Sequence, residues 1–170
     1  MLRKFIYLRS TFLKQPFRVT HWLAKGCPKH KLIVGIPTYG RSWTLSSSST
    51  EIGSSASGPG NAGTYSEESG LLLYNEICVN VASNGWTKVT DSTGSHGPYA
   101  YKGNQWVGYD DIDTVAKKAQ YIIDNGLGGG MFWDLPSDDF KNLCGKGKYP
   151  IIKKVYDTLC SENSCKGGKS

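Results

Sequence analysis

Residues 31–39 read KLIVGIPTY, a short apolar run with the length and composition of a strand buried on both faces, as in a parallel sheet. A second run of the same kind, GGGMFW, occupies residues 128–133. A helical pattern precedes each. Before the first, Val19, Trp22 and Leu23 lie at i, i+3, i+4 spacing, Gly26 is placed for a left-handed C-terminal turn, and Pro28 stops the helix. Before the second, residues 111–125 (DIDTVAKKAQYIIDN) put Ile112, Val115, Ala116, Ala119 and Ile122 or Ile123 on one face, with Asp111 or Asp113 as N-cap and Gly126 as stop. A third helix is predicted over residues 149–159, with Pro150 in its first turn and Ile151, Ile152, Val155, Tyr156 and Leu159 inward. A helix feeding a buried strand through a short turn, twice over, predicts an α/β fold.

Between the two strands the pattern changes. Residues 46–63 (SSSSTEIGSSASGPGNAG) are too rich in Gly and Ser to form a packed element and read as a long loop. The segment after it is compositionally ordinary and carries Tyr65, Leu71, Leu72, Leu73, Tyr74, Ile77, Trp86, Val89, Tyr99 and Tyr101. Residues 44–106 are therefore read as an insertion with its own small core, and residues 1–18 as a basic leader.

Composition narrows the partners. The chain has 170 residues and a formal charge of +6, but residues 1–31 hold eight Lys or Arg and no acid, so the remainder carries 12 bases against 14 acids. An excess confined to one end, beside no nucleic-acid motif, reads as a solvated basic segment, and no nucleic-acid partner is expected. The longest wholly apolar run of the leader is residues 5–8, which is too short for a secretory signal. An acid-free basic start is compatible with a transit peptide and equally with a misassigned start. No stretch approaches the roughly 20 apolar residues of a membrane span, so no membrane partner is expected. Five cysteines without a CxxC pair argue against zinc and for disulfides in an oxidising compartment. Cys160 and Cys165 leave room for a local loop.

Five strings in order, KLIVGIPTYGRSWTL, GPGNAGTYSEESGLLLYNEIC, YAYKGNQWVGYDD, GLGGGMFWDLPSDDF and CGKGKYP, resemble glycoside hydrolase family 18, the chitinases and chitinase-like lectins. The resemblance covers about residues 19–160. It implies the C-terminal part of a TIM (β/α)8 barrel over 19–43 and 107–160, with an inserted α+β chitinase insertion domain over 44–106 and a tail from 161. The two apolar strands would be the barrel's last two. Barrel sites lie at the C-terminal strand ends, here at Tyr39 to Arg41 and at Trp133.

The resemblance also implies roles. Trp133 matches the Trp forming the floor under the sugar at the cleavage site, against the alternative of a core Trp. Tyr39 and Arg41 match a cleft-lining Tyr and a basic side chain, though PTYG reads equally well as a packing turn. Glu68 aligns with an insertion-domain Glu that hydrogen-bonds sugar, with a plain surface carboxylate as the alternative. Trp106, Tyr109, Trp43 and Trp86 read as core packing. Cys78 and Cys144 match a pair tying the insertion to the barrel end, and Cys27 is left free. No cofactor or metal is implied.

Family hydrolysis is substrate-assisted: the substrate's N-acetyl oxygen attacks the anomeric carbon while the Glu of a DxxDxDxE motif protonates the leaving oxygen. Neither Asp110, Asp111, Asp113 nor Asp134, Asp138, Asp139 reproduces that spacing, and an MxYD motif is missing too. The loop after Trp133 also departs from the family's WAxDxDDF, with Asp134 for a small residue and Pro136 for an acid. The expectation is a partial chitinase-like domain, inactive by itself, that contributes part of a chitin or chito-oligosaccharide cleft and is completed by an N-terminal barrel segment. The alternative is a non-catalytic lectin-like module. The parent family is extracellular.

Overall fold

The computed structural model describes residues 14–91 and 96–161. Residues 1–13 of the leader, and the tail with Cys165, lie outside the described residues. Helix α1 (Lys14–Ala24) ends where Gly26 adopts φ +85°, as its C-terminal glycine predicts. Strand β1 (Ile33–Pro37) pairs in parallel with β8 (Gly129–Trp133), with Pro37 opposite Trp133. The α/β expectation holds in these elements.

The two strands are not buried on both faces, as the sequence suggested. Val34 and Ile36 pack with Val115, Ala119 and Ile122 of α3 (Ile112–Asp124) and with Ile151 and Val155 of α4 (Pro150–Cys160). Ile33, Met131 and Trp133, on the other face, are exposed. Among the described residues helices cover the pair on one side only, so the strands alternate in burial despite their uninterrupted apolar run. Tyr156 is likewise exposed rather than inward.

One residue separates β1 from β2 (Tyr39–Leu45), which already belongs to a second sheet. That sheet runs β3 (Ala56–Pro59), β2, β7 (Gln105–Gly108), β6 (Tyr99–Lys102), β5 (Thr87–Val89), with β4 (Leu71–Leu73) also paired to β2. It takes in residues 39–108, beginning ahead of the position 44 suggested by composition. Strand β3 lies inside the Gly/Ser-rich stretch predicted to be loop, because edge pairing to β2 is made by backbone groups and demands no bulky side chain. Helix α2 (Tyr74–Ser83) packs on one face through Ile77. Gly40 makes this possible, since a Cβ there would lie 2.6 Å from Val107 Cγ2 and 2.8 Å from Ile77 Cδ1. On the other face Trp106 and Tyr99 stack with Leu45 and Ala56 in a separate small core, so Trp106 is core, and so is Tyr109. Tyr65, counted with the core from sequence, is exposed.

Covalent and ionic ties join the two parts. Cys78 of α2 is disulfide-bonded to Cys144, across 66 residues of sequence, and Cys27 is free. Lys118 and Asp110 form a buried ion pair between α3 and the segment that leads into it from β7. Asp111 caps α3 by accepting from Thr114 N at 2.8 Å and Thr114 Oγ1 at 2.7 Å, and also receives Lys88 Nζ at 2.6 Å.

The Asp111 carboxyl titrates below its ordinary range: burial opposes ionisation, but the Lys88 and Thr114 hydrogen bonds outweigh it. Its contribution is then complete above the ordinary Asp pKa of about 3.9 and is lost as pH falls through the lower folded value. Asp111→Asn keeps an N-cap but loses the charge-assisted bond from Lys88, and is expected to cost about 1.5–3 kcal/mol at pH 7 and to flatten the acid limb of the stability profile. Denaturant titrations from neutral pH into acid check both, and an unchanged acid limb would contradict the assignment.

Candidate functional site

Trp133 is the last residue of a parallel strand, and 66% of it is exposed. Its position is fixed through Thr38, which is buried and lies between β1 and β2. Thr38 N donates to the Trp133 carbonyl at 3.1 Å, Thr38 Oγ1 donates to the Asp134 carbonyl at 2.5 Å, and the Thr38 carbonyl accepts from Tyr74 N at 2.9 Å. The Trp133–Asp134 peptide bond is cis. A single buried Thr thus holds the end of β8, the start of β2 and the start of α2 together.

From Thr38 the chain leads directly into Tyr39 and Arg41, which share one face of β2 because side chains alternate along a strand. Tyr39 pairs with Leu73, and Arg41 with Leu71 and Gly108. The Arg41 guanidinium lies 5.3 Å from the centre of the Tyr39 ring. Glu68 sits in the turn before β4, where its carbonyl accepts from Leu71 N at 3.2 Å. That turn brings its carboxylate within 3.8 Å of Arg41 Nη1, with both side chains about half exposed or more. An ion pair this open contributes little to stability, so the pair is free to exchange its partners for a ligand's. The structure groups Tyr39, Arg41 and Glu68 side by side, and backbone bonds at Thr38 join Trp133 to that group.

The acids near Trp133 are committed elsewhere. Asp138 is fully buried and accepts from Asp139 N at 2.8 Å, Ile152 N at 3.0 Å and Ile151 N at 3.4 Å, capping α4 behind Pro150. Burial pushes its carboxyl upward, against these N–H donors. Asp139, also buried, accepts from Leu143 N at 2.8 Å and Cys144 N at 2.9 Å. Asp134 accepts from Ser137 Oγ. Cys78, Asp139 and Cys144 lie close enough to share a metal, but both sulfurs are in the disulfide and both Asp139 oxygens hold amides, so that donor set is used up. What remains is an exposed indole at one strand end, joined through Thr38 to a phenol, a guanidinium and an open carboxylate, groups of the kind that hold a polyhydroxylated ring.

Sequence reasoning missed Thr38 and the capping roles of Asp138 and Asp139. Pro150 shortly after an acidic pair carried a partial signal for the caps. Nothing in a single Thr announces a junction.

Thr38→Val removes the hydroxyl and leaves the Asp134 carbonyl without that donor. The expected cost is about 1–3 kcal/mol, read as a lower denaturation midpoint with an unchanged slope; no loss would show that the junction does not depend on this bond.

The sequence model of glycosyl hydrolases family 18 matches residues 8–138. The human Chitinase-3-like protein 2 is 43% identical over 153 residues, spanning 89% of this chain and 38% of that protein. The Probable chitinase 10 of Drosophila melanogaster is 42% identical over 151 residues, covering 88% of this chain and 7% of that protein. The solved structure of human YKL-39, described as a pseudo-chitinase with retained chitooligosaccharide binding properties, superposes with a TM-score of 0.80 at 43% identity, over 85% of this chain and 39% of that one. Catalytic domain 2 of the Ostrinia furnacalis Group II chitinase gives 0.84 at 37% identity, over 86% and 39%. The chain thus spans well under two thirds of each of these relatives.

Proposed function

The chain belongs to glycosyl hydrolase family 18, and on that premise we propose that it supplies one wall and part of the floor of a cleft for chitin or chito-oligosaccharides. In this reading β1 and β8 are the last two strands of a (β/α)8 barrel, and the antiparallel sheet between them is the insertion that walls the cleft. The observation that carries it is Trp133, an indole left open at the C-terminal end of a parallel strand, where barrel sites lie. Its flat apolar face suits the apolar face of a pyranose ring. Tyr39, Arg41 and Glu68 add donors and acceptors for hydroxyl and acetamido groups. The likeness to a pseudo-chitinase that retains chitooligosaccharide binding supports the same ligand class.

Magnitudes show that the site must act as a group. Covering one indole face removes about 60–80 Å² of apolar surface, worth roughly 1.5–2 kcal/mol. A millimolar site requires about 4 kcal/mol. The balance falls to Tyr39, Arg41 and Glu68.

Hydrolysis is a separate matter. The 170 residues contain no DxxDxDxE motif, and the buried acids near Trp133 serve as caps. A missing general acid costs typically about 10²- to 10⁴-fold, so this chain alone binds without cleaving. The open apolar face of Ile33 and Met131 beside Trp133 favours a second reading in which further barrel strands cover that face and bring the catalytic Glu. The disulfide suits an extracellular setting, and among the described residues no helix is long and apolar enough to cross a membrane.

Purified chain is expected to give no turnover of a chitotriose reporter; turnover that follows the protein through purification would overturn this. It is expected to be retained on chitin beads, and Trp133→Ala is expected to weaken retention roughly 10- to 30-fold. Retention indifferent to Trp133 would sink the cleft assignment. Turnover appearing only on mixing with an N-terminal barrel fragment would establish the second reading.

A further inference from the structure

A groove of about 540 Å³ lies on the α2 side of the antiparallel sheet, between α2, the segment at residues 61–65, Trp86 and Gln105. It is not the cleft just described. Gln105 pairs with Thr44, and Thr44 alternates with Arg41 along β2, so groove and Arg41 belong to opposite faces of one sheet. The volume falls within the roughly 300–1,000 Å³ of small-molecule sites.

Its chemistry is unusual in being rich in amides and without available charge. Asn75, Asn80, Asn84 and Gln105 line it, together with the half-buried indole of Trp86. No Lys or Arg lines it. Its one carboxylate, Glu76, is spent on backbone N–H groups, with Oε1 accepting from Tyr65 at 2.7 Å and Ser66 at 3.3 Å and Oε2 from Leu73 at 2.8 Å. Phosphates, cations and acidic peptides therefore find no counter-charge. Asn75 is 4% exposed, yet its Oδ1 has no hydrogen-bond partner among the described residues. A buried acceptor left unpaired is costly; closed to solvent as it stands, this oxygen is not one of the groove's exposed polar groups. Asn84 Nδ2 donates to Asn80 Oδ1 at 2.9 Å, which pre-orders two amides on one edge. Trp86 packs against the core and is held by it. The Gln105 amide is engaged at both ends, with Oε1 accepting from Asn61 N at 2.8 Å and Nε2 donating to Thr44 Oγ1 at 3.1 Å, so recognition falls to Asn80 and Asn84, whose amides, set beside an indole, match a ring carrying hydroxyls on its edge and C–H groups on its face.

We propose that this groove is a second saccharide site, for a neutral mono- or disaccharide, independent of the cleft at Trp133. It stands or falls separately from the cleft reading, because each site has its own tryptophan.

The full chain, ¹⁵N-labelled, is titrated at millimolar concentrations with chitobiose and with mannobiose, and the indole N–H of Trp86 and the side-chain amides of Asn80 and Asn84 are followed. Saturable shifts at these groups with at least one disaccharide, surviving in Trp133→Ala, are the expected result. Asn84→Ala, at an exposed position that leaves the core untouched, and Asn80→Ala are expected to weaken that binding roughly 3- to 10-fold while leaving any response of the Trp133 indole unchanged. Silence at Trp86, Asn80 and Asn84 with both sugars, or shifts there that vanish with Trp133, would overturn the second site. Equal shifts with a glucuronate-bearing disaccharide would overturn its assignment to neutral ligands.

Discussion

Everything in this structure passes through Thr38, the single residue between a parallel strand and an antiparallel one. A buried junction must satisfy its own backbone groups or lose stability, and Thr38 does so by bonding to the end of β8 and to the start of α2. Its N–H and hydroxyl fix successive carbonyls at Trp133 and Asp134, so the end of β8 cannot move independently of β1. Its carbonyl takes the N–H of Tyr74, so α2 starts where β2 starts. The exposed indole is therefore held from behind by the same residue that launches Tyr39 and Arg41.

The carboxylates divide into two groups with different roles. Asp111, Asp138 and Asp139 are buried and capture backbone N–H groups that helix ends and tight turns would otherwise leave unpaired. Glu76 does the same for the loop that precedes β4. Glu68 alone among the acids of the proposed cleft is open to solvent and paired only with Arg41. Together with the Cys78–Cys144 bond, the buried group makes the sheet, α2 and α4 one framework. Rigid support of this kind is what a binding surface made of one indole and three polar side chains requires.

Much of the fold could be read along the chain. Asp111 as cap, Val115, Ala119 and Ile122 as a face, and Gly26 as stop all follow from local rules, and the structure has each of them. Burial was harder. Tyr156 has the spacing of an inward residue but faces solvent, and the apolar strand β1 has one open face. Spacing says which residues share a side; it does not say whether anything lies against that side. The candidate cleft was legible as a set of residue types through family motifs, but the proximity of Arg41 to Glu68 depends on a turn at Glu67 with φ +49°, which no local pattern announces.

By itself the sequence determined the helices, the two apolar strands, the family through five ordered motifs, and the lack of a DxxDxDxE acid within these residues. These are properties of neighbours along the chain, governed by period, caps and spelling. Only the tertiary structure decided that Thr38 clamps Trp133, that Asp138 and Asp139 are caps rather than acids in waiting, and that Asn75, Asn80, Asn84 and Gln105 share a groove on the far side of the sheet. Each of those depends on groups far apart in sequence meeting in space, and which of them meet is set by strand pairing and core packing, not by the residues' own preferences.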